Sequence, residues 1–134
     1  MRYARISADC HIDMPWMPND LFTSNASAGL KDRMPYVTDG PNGPSWTCKN
    51  GMSFGLVCGV GPLGQKYVPG QNYRVDKMAA AGLYEDARRG KRHVTDPHLR
   101  VRDADLDGVD AEVIFGILGA ATLLNAHEAA KEMF

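Results

Sequence analysis

The chain has 134 residues, 44% hydrophobic and 23% charged, with a formal net charge of −1; that length suits one soluble domain with a modest core, and the even balance provides no field to attract nucleic acid or an anionic membrane. The three cysteines, Cys10, Cys48 and Cys58, cannot all pair within one chain and match no disulfide scaffold, which points to a reducing compartment, the cytoplasm. No run approaches the roughly 20 apolar residues of a membrane span, and the first residues lack the apolar centre of a signal peptide.

Residues 3–11 alternate, with Ala4, Ile6, Ala8 and Cys10 on one face and Arg5, Ser7, Asp9 and His11 on the other, the period of a strand with one polar face. Asp9 and His11 therefore project together from the strand's C-terminal end, and Cys10 faces away. Residues 13–75 carry Pro15, Pro18, Pro35, Pro41, Pro44, Pro62 and Pro69, which break any long helix. The segment reads as a loop-rich insertion of the kind that forms a lid, a binding loop or an interface. Within it, Asn50-Gly51 turns a hairpin at about 45–57. A short helix is expected at 78–87, ended by Gly90. A second is expected at 98–107, capped by Thr95 or Asp96, opened by Pro97 and closed by Gly108. Residues 111–115 read as a buried strand and 123–134 as the start of another helix. Strand, excursion, helix, strand, helix is the order of consecutive β/α units on a parallel sheet, which two strands leave unfinished.

Several patterns compete for chemistry. A carboxylate and an imidazole side by side at Asp9 and His11 suit one divalent cation, zinc or manganese; the alternative is that Asp9 orients His11 by a hydrogen bond or caps the turn before Pro15. Asp103-x-Asp105-x-Asp107-Gly108 opens like a calcium loop, but Ile114 stands where the bidentate Glu belongs. Gly59-Val60-Gly61-Pro62-Leu63-Gly64 fits G-x-G-x-x-G, yet Pro62 and Pro69 leave no helix to receive a pyrophosphate. The run Arg88-Arg89-Gly90-Lys91-Arg92-His93 has no interleaved aromatic residue and reads as a solvated helix end. Cys10, His11, Cys48 and Cys58 contain no C-x-x-C pair and do not make a structural zinc set. His93, His98 and His127 fall in helix-rich segments and read as surface or core histidines.

Ile6-Ser7-Ala8-Asp9-Cys10-His11, followed by Pro15 and then Asp20-Leu21-Phe22, resembles the opening SADxHxxEPPDLW signature of the amidohydrolase-related family. These are metal-dependent TIM-barrel enzymes that include aminocarboxymuconate-semialdehyde decarboxylase. Lys31-Asp32-Arg33-Met34-Pro35 resembles the RDRxP stretch after it. Asp96-Pro97-His98-Leu99-Arg100, leading into Asp103-Ala104-Asp105-Leu106-Asp107-Gly108-Val109-Asp110-Ala111-Glu112-Val113, resembles the family's DMDxDGVDxEV helix-strand junction. Met14-Pro15 departs from the signature's Glu-Pro. The resemblance implies an α/β fold, an incomplete (β/α)8 TIM barrel represented by its first two β/α units with a loop and hairpin insertion. It implies Asp9 and His11 as the first-strand metal ligands and zinc, or manganese, as the cofactor. The reaction would be hydrolysis or nonoxidative decarboxylation of a small carboxylic acid or related substrate. The family's later-strand histidines and aspartate would lie beyond Phe134, so either the sequence is the N-terminal part of a longer chain or an oligomer or partner chain would complete the barrel. A non-catalytic binding module or an inactive fragment is the alternative.

Overall fold

The structure, a computed structural model, describes residues 3–59 and 66–118, the side chains of the last two excepted. Its strands fall into two sheets. Strand β1 (Ile6–Asp13) leads through a 3-10 turn at Met14–Trp16 and helix α1 (Leu21–Asn25) into β2 (Tyr36–Gly40), β3 (Gly43–Thr47) and β4 (Ser53–Leu56), which form an antiparallel meander. Helices α2 (Tyr73–Ala80), α3 (Leu83–Arg88) and α4 (Pro97–Asp107) then carry the chain back to β5 (Ala111–Leu118), parallel to β1.

This arrangement overturns the expected incomplete (β/α)8 barrel. A barrel closes one continuous sheet of parallel strands. Here the described strands divide into a two-stranded parallel sheet and a separate three-stranded antiparallel one. The antiparallel sheet arises from two tight local turns, which let neighbouring strands pair without any crossover helix.

The supposed loop insertion is in fact where the core lies. Met14, Phe22, Met34 and Trp46 form one buried cluster, with Met17, Leu21, Leu30, Val37, Phe54 and Val57 packed around it. Trp46 is fully buried, and Phe22 meets it edge-on at 5.7 Å between ring centroids, an arrangement favoured by the ring quadrupoles. Several prolines sit at element boundaries, Pro15 in the 3-10 turn, Pro35 just before β2 and Pro41 between β2 and β3, while Pro44 lies within β3 opposite Asp39. The hairpin expected at Asn50-Gly51 is present. Thr47 pairs with Ser53, Gly51 takes φ +80°, and the Asn50 side chain accepts the Met52 amide at 3.0 Å. The two-residue Pro41-Asn42 turn, which joins Gly40 to Gly43, went unread.

The helix expected at 78–87 is two helices. Gly82, at φ +84°, takes a left-handed conformation that no α-helix continues through. Helix α4 matches its caps. The Asp96 carboxylate accepts the His98 and Leu99 amides at 2.9 and 3.1 Å, Pro97 opens the first turn and Gly108 ends the last. The expected helix at 123–134 and residues 60–64 of the glycine-rich motif lie outside the described residues. Among those described, no helix is long and apolar enough to cross a membrane.

Candidate metal centre at the end of the first strand

The start of β1 is stitched to the α4–β5 connection by one carboxylate. Asp110 Oδ2 accepts the amides of Ala4 and Arg5, each at 2.9 Å, while the Asp110 amide donates to the Arg5 carbonyl. The two backbone donors hold the Asp110 carboxyl below its ordinary pKa. From this anchor the strands run in parallel, Ser7 beside Glu112, Cys10 beside Ile114 and His11 beside Phe115. Three residues of β1 span two of β5 between the first two of these pairs, so β1 bulges at Ala8 and Asp9.

The bulge changes the expected faces. Simple alternation puts Ser7 with Asp9 and His11; instead Ser7 Oγ lies 3.1 Å from Cys10 Sγ, on the side facing α4. Asp9 and His11 nevertheless come together, as the alternation predicts. His11 Nε2 is 3.3 Å from Asp9 Oδ1, with the Asp9 side chain 92% and that of His11 38% exposed. The His11 ring is also set beside Phe115, 5.9 Å between centroids. The same Asp9–His11 contact serves as an ion pair whenever His11 is protonated.

Behind this pair lies a polar cluster that the sequence did not disclose. Cys10 Sγ donates to Glu112 Oε1 at 3.2 Å, and Arg100 Nε donates to Glu112 Oε2 at 2.6 Å. Arg100 Nη1 also donates to the backbone carbonyls of His11, at 3.2 Å, and Val94, at 2.8 Å. Burial pushes the Glu112 pKa up, but the Arg100 and Cys10 hydrogen bonds and the Arg100 charge outweigh it, and the carboxyl stays below its usual range. Two residues past His11, half-buried Asp13 behaves oppositely. Burial raises its pKa, only partly offset by His11 and Arg100. Asp13 was also missed, although extending the β1 alternation by one step places it on the side of Asp9 and His11.

Among the described residues, no group of three or more His, Cys, Asp or Glu side chains converges to hold a metal ion. Asp103, Asp105 and Asp107 lie along α4, not in a calcium loop. The basic run divides. Arg88 pairs outward with Glu85, whereas Arg92 turns inward to the carbonyls of Trp16 and Met17 and the Asn19 side chain. Compared with protein-family models, with curated proteins and with solved structures, the chain gives no match.

Proposed function

We propose that Asp9 and His11 supply two ligands of a divalent-metal site, zinc or manganese, in a metal-dependent hydrolase or nonoxidative decarboxylase acting on a small carboxylic acid or related substrate. The observation that carries this reading is the 3.3 Å between His11 Nε2 and Asp9 Oδ1. Two ligand atoms, each ~2.1 Å from a tetrahedral zinc, stand ~3.4 Å apart, so the pair needs almost no adjustment to share one ion. The resemblance of the two strand motifs to the amidohydrolase-related family supports the same assignment. Two ligands leave a tetrahedral site half filled, and the remaining ligands come from groups outside the described residues. The free thiols of Cys10, Cys48 and Cys58 suit a reducing, cytoplasmic setting.

When bound, the ion supplies Lewis acidity, for hydrolysis of a C–N, C–O or C–C bond or for loss of carbon dioxide from a carboxylic acid. The chain's own residues arrange the ligands. Asp9 brings a negative charge and His11 a neutral nitrogen donor, and Phe115 sits beside the imidazole ring. Arg100 fixes the backbone of His11 through its carbonyl and is itself fixed by Glu112, the outer support that metal ligands require.

Manganese is the cleaner probe, because carboxylate ligands suit it and the three thiols do not. Titrated into the purified chain, Mn2+ is expected to broaden the NMR signals of Asp9 and His11 first. Asp9→Ala and His11→Ala should each weaken binding by about tenfold or more. Equal affinity in wild type and both variants overturns the assignment.

A further inference from the structure

His93 lies between α3 and α4 with both ring nitrogens engaged. Nδ1 is 2.6 Å from Asp103 Oδ2 on α4, and Nε2 is 3.0 Å from Asp86 Oδ2 on α3. The ring is mostly buried, 21% exposed. A neutral imidazole has one N–H, so it can donate to one of these carboxylates only and must turn a lone pair toward the other. The imidazolium donates to both. At 2.6 and 3.0 Å both carboxylates are within hydrogen-bonding distance of the ring, and only the imidazolium satisfies both at once.

We propose that Asp86, His93 and Asp103 form a protonation-dependent staple that fixes α4 against α3, and that deprotonation of His93 releases it. The consequence reaches the end of β1, because Asp103 is one helical turn from Arg100 on α4 and Arg100 holds the His11 carbonyl and Glu112. The staple stands on its own geometry and does not depend on a metal at Asp9 and His11.

The electrostatics agree. Burial lowers the His93 pKa, but hydrogen bonds and charge from Asp103 and Asp86 outweigh it and hold the imidazolium above its ordinary 6.5. The His93 bond, with Lys91 and Arg89 also facing the carboxylate, holds Asp86 below its ordinary value despite the opposing effect of burial. Arg89 reaches Asp86 Oδ1 at 4.0 Å, and the nearby Arg88 is paired outward with Glu85. A group whose folded pKa is raised contributes stability that is fully present below its unfolded value and is lost as pH rises through the folded one. The staple is therefore closed from pH 6.5 down to the range where its carboxylates take up protons, and it opens on the alkaline side.

The test is an NMR titration of the whole chain, read at the His93 ring carbons and at the α4 amides. In wild type, His93 is expected to titrate above 6.5, with the amides from Arg100 to Asp103 moving at the same midpoint. Asp86→Asn and Asp103→Asn should each cut the proton affinity of His93 by about tenfold, since each removes one adjacent charge. His93→Gln should abolish the alkaline movement of the α4 amides. Should that variant not fold, the wild-type curves decide alone. A His93 midpoint at or below 6.5, or α4 amides that ignore it, overturns the staple.

Discussion

The antiparallel meander and the parallel pair are built from similar amounts of strand and bury their side chains in opposite ways. In the meander, strands joined by two tight turns enclose Met14, Phe22, Met34 and Trp46. In the parallel pair, the strands come from opposite ends of the described chain and are held by polar contacts, Asp110 to Ala4 and Arg5, and Glu112 to Arg100. Its apolar residues stay half open: Val113, Ile114 and Phe115 are 46%, 45% and 50% exposed. Successive strand residues point to opposite faces, so among the described residues both faces of β5 are only half covered, although parallel sheets are normally covered on both sides. Helix α4 adds little cover, since none of its residues is fully buried. The meander thus holds the larger buried core, while the parallel pair leaves Asp9 exposed and His11 partly exposed.

Removing an aromatic group from the meander gives the largest expected effect. Trp46→Ala should cost about 3–5 kcal/mol in chemical denaturation; a cost below about 1 kcal/mol would move the core elsewhere. Next comes the polar link under the parallel pair. Glu112→Gln takes an ionised acceptor from mostly buried Arg100 and should cost about 1–3 kcal/mol at neutral pH. The Glu112 pKa is depressed, so its contribution is present above the usual carboxylate range and is lost as pH falls through the folded value. The variant's acid-unfolding curve should accordingly be flatter than wild type. Gly108→Ala is milder, about 1 kcal/mol by thermal melting. The position has φ +68°, and a Cβ there would stand 2.9 Å from the Arg5 guanidinium, a flexible group able to move. Smallest is Ile114→Thr on the open face, which should stay within about 0.5 kcal/mol of wild type. A larger loss would mean that this face is covered in solution.

Features signalled by neighbouring residues were legible in the sequence. The caps of α4 at Asp96, Pro97 and Gly108, the Asn50-Gly51 hairpin and the shared side of Asp9 and His11 each follow from a few adjacent positions. Features that depend on distant register were not. The contact of Ser7 with Cys10 follows from a bulge defined only against β5, and the Arg100–Glu112–Cys10 cluster joins residues about a hundred positions apart. Element order suggested one parallel sheet, but order does not decide which strands pair, and Pro41-Asn42 pairs β2 with β3 locally. The prolines in 13–75 exclude a long helix, as the sequence indicates, but several of them border short strands and turns that their presence alone does not reveal. Gly82 lay in an otherwise helical stretch, and only its positive φ shows that the helix stops there.

Residue-resolved amide exchange, recorded with and without zinc, tests the division between the two regions most directly. Before zinc is added, the amides of Thr38, Ser45 and Trp46 should exchange far more slowly than those of β1 and β5. With zinc, protection should rise at Asp9, His11 and Ile12 and stay unchanged in the meander. Equal protection of the two sheets before zinc, or zinc protection that bypasses the end of β1, would contradict the account.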